Sequence, residues 1–387
     1  VKDYKMMGEL AVDVGEQAKE QAESLWSDFW KQFRRRKMAV AGLLVFLLFL
    51  GVAVLGVGLT TGERPVLDPA LVRLPEKLRP PLSKARVELL KPHELPPLGI
   101  YILGTDELGR DVFSRMMQGA WVSLTVGFVA VGIAVGIGIF LGGLAGYYGP
   151  KALGLSSLGG CLGFSGAFLA LWKGAYGLGL AVGLTSVLLF WGARLAGRKK
   201  GVLARALTLP CISVDTLIMR LVDVMLCFPS FFLILTVVAL LPASIYNIMA
   251  VIGLTSWMGT ARFVRAEFLA LREQDFVAAA KALGLSDARI IFRHLVPNGI
   301  APVLVSATLG IAGAILTEAG LSFLGFGVPP PHATWGNILS DGKRFLFDAP
   351  WLTLIPGCAV LLVVLAFNLF GEGLREALNP RLRQRKA

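Results

Sequence analysis

The chain has 387 residues, 55% of them hydrophobic and only 17% charged, with a mean hydropathy of +0.68, a balance that excludes an ordinary water-soluble globular domain. Lys and Arg number 38 against 26 Asp and Glu, a formal net charge of +12. The basic excess is concentrated in the segments flanking apolar runs, which is a membrane-topology bias and gives no support to nucleic-acid binding.

In chain order, residues 1–37 read as an amphipathic cytoplasmic lead-in, with Leu25, Trp26, Phe29, Trp30 and Phe33 at helical spacing suited to a membrane interface. Arg34, Arg35, Arg36 and Lys37 precede the first apolar run, 38–59, and place the N-terminus in the cytoplasm. This run is too long and too deep in the chain for a signal peptide, so it is read as a retained anchor. Further apolar runs lie at about 121–147, 152–172, 174–195, 217–241, 245–260, 299–319 and 351–370. Each approaches the ~20 residues that cover a ~30 Å hydrocarbon core, so the sequence predicts an all-α integral membrane protein with eight spans. Glycines inside the runs, such as Gly142, Gly143 and Gly146, let helix backbones approach closely. An even count returns the C-terminus to the cytoplasm, and the basic tail 373–387, with Arg375, Arg381, Arg383, Arg385 and Lys386, agrees. So does the cluster Arg198, Lys199, Lys200 and Arg205.

Residues 60–120 form an extracytoplasmic segment. Its first part is proline-rich and reads as extended loop with a short helix or two. Then comes LGTDELGRDVFSR, in which Gly104, Thr105 and Asp106 suit a turn and cap, while Val112, Phe113, Met116 and Met117 give a stripe leading into the second span. Asp106, Arg110 and Asp111 read either as a solvated turn with local ion pairs or as part of an outer entrance.

The polar island 261–298 lies between two spans and is too patterned for mere connection. Leu269, Phe276, Ala280 and Leu283 fall near one face of a predicted helix, with Arg272, Glu273, Asp275 and Lys281 on the rest. Gly284 ends it. Ser286 and Asp287 start a second helix through Arg289 and Phe292, limited by Pro297. Two readings stand: a docking device for a soluble partner, or a helix pair resting on lipid headgroups.

Taken together, LGTDELGRDVFSR, the island REQDFVAAAKALGLSDARIIFRHLVPN, EAGLSFLGFGVPPPHATWGNIL and APWLTLIPG with AFNLFGEGLREALNPRL resemble, in that order, the C-type permease subunit of ATP-binding-cassette (ABC) importers for dipeptides and oligopeptides. The resemblance runs from about Arg34 to Arg383. It implies a type I importer transmembrane domain with six core spans, one half of a pathway shared with a homologous permease as a heterodimer. It also implies two ATP-binding subunits, which hold the ATP and Mg, an extracytoplasmic substrate-binding protein, and a peptide substrate. The island then contains the coupling helix, with Glu273, Asp275, Phe276, Ala279, Ala280, Leu283 and Gly284 facing the ATP-binding subunit, and Asp106, Arg110 and Asp111 lie on the binding-protein side. Two departures stand out. Ala278 replaces the glutamate that usually opens the family's Glu-Ala-Ala signature. Residues 151–213 intervene where members pass directly from GYYG to a segment like VDTLIMRLVDVMLCFPS, and are read as an inserted two-span hairpin around Lys173 or one long re-entrant element.

The chain carries no phosphate-cradling G-x-x-x-x-G-K-[ST] loop, and His93, His294 and His332 are scattered, so no catalytic residue, metal site or cofactor is expected on it. Cys161, Cys211, Cys227 and Cys358 lack paired spacing and read as small buried apolar residues. Asp223 is set to pair with Arg220, and Glu372 reads as structural. Glu318 either faces the translocation route or bonds to its neighbours. The competing class is an ion-coupled secondary transporter, which would rest on Glu318. A membrane enzyme is weaker for want of a nucleophile, base or metal.

Overall fold

The computed structural model describes residues 29–62, 65–149, 152–154 and 210–378. Leu25, Trp26, the inserted apolar runs from residue 155 on, the cluster Arg198 to Arg205 and the tail beyond Leu378 lie outside these residues. Helices dominate the remainder: α1 (Lys37–Thr60), α2 (Val112–Tyr148), α3 (Val214–Cys227), α4 (Ser230–Leu240), α5 (Ile245–Leu254), α6 (Trp257–Leu271), α7 (Asp275–Ala282), α8 (Asp287–Ile290), α9 (Ile300–Phe323), α10 (Trp335–Gly342) and α11 (Trp351–Leu378). Among the described residues α1, α2, α9 and α11 are long and apolar enough to cross a membrane, and α3 with α4 adds a fifth span if the bent pair counts as one. After Lys37, α1 has no ionisable residue across its 24 positions, about 36 Å of helix against a ~30 Å core.

Two predicted spans are not continuous helices. The run 217–241 breaks at Pro229, where α3 and α4 meet at 82°, because proline brings no amide donor and its ring clashes with the preceding turn. The run 245–260 breaks at Thr255, whose hydroxyl donates to Val251 O at 2.6 Å and Ile252 O at 3.3 Å and so competes with the helical ladder. A third boundary moves the other way. Helix α2 starts nine residues before Trp121, because Asp111, not Asp106, caps it by accepting from Phe113 N at 3.3 Å and Ser114 N at 3.0 Å.

The chain divides into two compact units. The first comprises Val1–Gly136, Phe228–Thr260 and Ile300–Ala387. In it α1 lies against α11 at small residues: a Cβ on Gly42 would come 2.8 Å from Ala366 O. Phe46 meets Phe367 at 4.9 Å between centroids, and Phe49 meets Trp335 edge-on at 5.5 Å. The fully buried Trp335 anchors α10, donating from Nε1 to Met116 O at 3.3 Å. Helix α10 itself opens with a capping box, Thr334 accepting from Asn337 N and Asn337 accepting from Thr334 N, both at 3.0 Å. The proline-rich segment is less purely extended than expected. It folds around a short antiparallel ladder, β1 (Ser83–Lys84) with β2 (Ile100–Tyr101), and three 3₁₀ turns. Burial pushes the Tyr101 hydroxyl in this ladder up to about 12.

The second unit comprises Ile137–Cys227 and Ala261–Gly299. Here the glycine-rich end of α2 crosses the lower half of α6 at backbone distance: a Cβ on Gly142 would lie 2.4 Å from Ala261 O, and one on Gly146 2.7 Å from Arg265 O. Two ion pairs join α3 to α6, Arg265 to Asp215 (Nη2 to Oδ2 2.6 Å) and Arg262 to Asp223 at 2.8 Å. The hydrogen bond to Asp215 raises the Arg265 pKa further, keeping the guanidinium charged. The predicted Arg220 to Asp223 pair is present at 3.5 Å. The two ends of the 151–213 segment pair as an antiparallel ladder, β3 (Ala152–Gly154) with β4 (Pro210–Ser213), in register Ala152 to Ser213. Cys227 and Cys358, expected to be buried, are exposed, since an apolar residue on a membrane helix is as well placed against lipid as against protein.

Gly142→Val is expected to destabilise the second unit by about 1–3 kcal/mol through overpacking against Ala261. A thermal midpoint in detergent equal to that of the wild type would refute the crossing as described.

Candidate functional site

The polar island folds as three helical pieces. Helix α6 carries the chain in and ends at Leu271. After Glu273 and Gln274 the eight-residue helix α7 begins, with Asp275 in its first turn and Lys281 in its last, both favourable to the helix dipole. It closes in a Schellman motif: Leu285 N donates to Ala280 O at 3.2 Å and Gly284 N to Lys281 O at 3.0 Å, with Gly284 at φ +75°. Helix α8 then runs through a π turn (Ile291–Leu295) into a last α turn (Val296–Asn298). Pro297 therefore lies inside the helical stretch and not at its limit. The widened turn accommodates it, because Arg293, whose carbonyl a proline ring would strike in a regular helix, belongs to that turn.

The residues read on one helical face, Leu269, Phe276, Ala280 and Leu283, divide in the structure. Val277 and Ala280 are buried, while Phe276 is 38% and Leu283 81% exposed. Glu273, Asp275, Ala278, Ala279 and Gly284 share the exposed side. Six of the seven residues predicted for coupling are thus outward, and Ala280 is the exception. A short helix that buries two small residues and presents Phe276 and Leu283 to its surroundings has an apolar face to offer a partner.

What ties α7 to the membrane helices is the end of α2, a set of contacts that the sequence reading missed. Tyr147 donates to Asp287 Oδ1 at 2.6 Å and Tyr148 to Oδ2 at 3.2 Å, so one carboxylate at the start of α8 is held by two adjacent phenols. The Lys281 ammonium sits 5.5 Å above the Tyr147 ring. Arg272 Nη1 lies 3.4 Å from Gly146 O and 3.5 Å from Tyr147 O, on carbonyls that the end of a helix leaves without intrahelical partners. Gly149 sits at φ +53°, a conformation that favours glycine, and a Cβ there would fall 2.0 Å from Arg272 Nη1 and displace the guanidinium. The segments before and after α7 are therefore both fastened to the last turn of α2. The GYYG sequence was visible, but its partners lie about 140 residues away.

The other predicted residues lie elsewhere. Asp106 is fully buried. It takes Arg110 Nε and Arg115 Nη1 at 2.6 Å each, and both guanidinium groups reach Asp341, at 3.1 and 2.9 Å. Its other oxygen accepts from Leu108 N and Arg110 N. The ion pairs of this turn are thus buried, not solvated, and extend beyond it to Asp341 in α10. Asp111 is the α2 cap. Glu318, fully buried in α9, accepts from Ser123 at 3.3 Å and Ser322 at 2.7 Å, so it engages neighbouring hydroxyls. The island groups and the Asp106 cluster belong to different units.

Comparison with known proteins gives two family matches. Residues 201–384 match the binding-protein-dependent transport system inner membrane component, and residues 24–75 the N-terminal transmembrane domain of oligopeptide transport permease C. The chain is 33% identical to the dipeptide transport system permease protein DppC of Alkalihalophilus pseudofirmus, covering 94% of this chain and 92% of the relative. It is 28% identical to the oligopeptide transport system permease protein OppC of Bacillus subtilis over 93% and 91%. To the glutathione transport system permease protein GsiD of Pectobacterium atrosepticum it is 29% identical over 92% of each.

Replacing Tyr147 and Tyr148 together by Phe removes both donors to Asp287. At about 1.5–3 kcal/mol per hydrogen bond to a charged group, amide exchange across 272–298 is expected to rise at least tenfold, read by hydrogen–deuterium exchange; unchanged protection would show that the phenols do not hold the island. Asp106→Ala leaves two guanidinium groups without their main partner and is expected to cost about 3–5 kcal/mol. A variant with normal yield and melting temperature would disprove that estimate.

Proposed function

The chain belongs to the binding-protein-dependent transport system inner membrane component family, among its dipeptide and oligopeptide permeases, and on that premise we propose that it is one permease half of an ATP-driven, binding-protein-dependent peptide importer. Its homologous partner supplies the other half of the pathway. Two ATP-binding subunits, carrying ATP and Mg, dock on the cytoplasmic side, and a substrate-binding protein delivers the peptide outside. The names of the relatives, dipeptide, oligopeptide and glutathione permeases, support a short peptide as cargo. Both termini and the island face the cytoplasm, as the distribution of Arg and Lys favours.

The single observation that carries this reading is the form of α7. It offers Phe276 and Leu283 outward while Arg272, Lys281 and Asp287 bind the segments around it to the end of α2. A partner that grips the exposed face and moves cannot shift α7 without pulling on α2. Closure of the ATP-binding subunits would thereby bias the permease between inward-facing and outward-facing states. Glu318, on which an ion-coupled mechanism would have to rest, is occupied by the hydroxyls of Ser123 and Ser322, and that favours the ATP-driven reading.

The test is purification of the tagged chain from its native membranes in mild detergent, with its partners identified by mass spectrometry and ATPase and peptide uptake measured. A second permease and ATP-binding subunits are expected to co-purify with the wild type. Phe276→Asp is expected to lose the ATP-binding subunits. Gly284→Pro, which cannot adopt φ +75°, is expected to abolish uptake while leaving expression intact. Full uptake by Gly284→Pro, or recovery of the wild-type chain alone without ATPase, would overturn the proposal.

A further inference from the structure

The start of α1 is built differently from an ordinary span end. A helical segment over 29–35 precedes it and stops at Arg36, whose backbone is extended (φ −93°, ψ 91°). Phe33 in that segment is fully buried, in a cluster with Ala39 and Ala377, its ring edge-on to Phe370 at 5.8 Å. Arg36 Nε pairs with Glu376 Oε2 at 2.6 Å. A Cβ on Gly373 would lie 2.2 Å from Ala39 Cβ, so the end of α11 and the start of α1 are in close contact. Chain entry is thereby clipped to the last turns of α11 and held.

The clip fixes what remains exposed. Trp30 stacks on Phe33 at 5.8 Å and is 47% exposed, with the Arg34 guanidinium 6.0 Å over its ring. Arg34, Arg35 and Lys37 are all exposed, as is Arg375 near the end of α11. Glu376 is taken by Arg36, which leaves Glu372 as the exposed acid on this end of α11. The position along the membrane normal follows from the sequence of α1: no charged side chain occurs between Lys37 and Thr60, so the hydrocarbon must begin just past Lys37 and the cations lie at headgroup level. Tryptophan is favoured at that same depth.

We infer that this clipped entry is a binding site for anionic phospholipid headgroups, in which Arg34, Arg35 and Lys37 take the phosphates and Trp30 seats the site at the interface. The occupant is set by charge complementarity and by depth, since the groups that meet cations at this level of a bilayer are lipid phosphates. Ordering the cations before the lipid arrives lowers the entropy lost on binding. Each basic residue next to an anionic surface contributes about fivefold in affinity.

The test uses the full chain in nanodiscs of equal phosphatidylglycerol and phosphatidylcholine, released into native mass spectrometry so that retained lipids are counted. The wild type is expected to keep phosphatidylglycerol over phosphatidylcholine at a ratio at least about tenfold above that of the bulk. Replacing Arg34, Arg35 and Lys37 together by Gln is expected to bring that ratio back to about the bulk value, and Arg34→Lys with Arg35→Lys, which keeps the charge and the topology signal, to retain the enrichment. Equal retention by the Gln variant, or no enrichment in the wild type, overturns the inference. Loss of co-purifying ATP-binding subunits with lipid enrichment intact also overturns it, by assigning the patch to a protein. Lipid enrichment in a chain that brings down no ATP-binding subunit would sink the transport proposal and leave the lipid site standing.

Discussion

A bilayer gives a backbone amide nothing to bond to, so a chain inside it must satisfy its own polar groups. The helices of this protein obey that constraint, and its interruptions show how. Where the apolar run 217–241 turns sharply, the break falls at Pro229, which has no amide hydrogen to orphan, and its carbonyl takes Leu233 N at 3.1 Å. Where α5 gives way to α6, the Thr255 hydroxyl covers carbonyls of the last turn. Between α4 and α5, Asn247 donates to Pro242 O at 2.8 Å. Each break thus combines a missing donor or a side-chain substitute with a change of direction.

Charge is handled by the same rule, with partners chosen by surroundings. Asp106 sits among guanidinium groups and backbone amides, a strong and geometrically demanding arrangement. Glu318 has hydroxyls only, which share hydrogen bonds without adding a counter-charge. Asp287 has two phenols, and this choice serves the island well. Two tyrosines on successive residues of one helix end hold a carboxylate by both oxygens, so rotation of α8 about a single bond is resisted.

Much of this was legible in the sequence because it is local. Spans follow from runs of apolar residues, the end of α7 from a single glycine that must adopt positive φ, and the Arg220 to Asp223 pair from spacing on one helix. The misreadings share a cause. Helical periodicity finds an apolar face but does not distinguish burial against the same chain from readiness for another, so the face read through Phe276, Ala280 and Leu283 joins a residue packed inside to two that are exposed. In the same way CFPS was seen but read through, because hydropathy averages over a proline. The Tyr147 to Asp287 and Asp106 to Asp341 groupings, formed across roughly 140 and 230 residues, depend on helix packing that no local pattern encodes.

The ladder between Ala152–Gly154 and Pro210–Ser213 has an evolutionary meaning. Its strands leave and rejoin the chain side by side, so the two ends of the intervening sequence are brought together at a strand spacing of about 4.8 Å. A segment attached in this way is modular: it can be gained, exchanged or trimmed to a tight turn without altering the separation of Tyr148 and Val214. The contacts that grip the island, at Tyr147, Tyr148 and Asp287, lie outside this ladder and are independent of the length of chain between its strands.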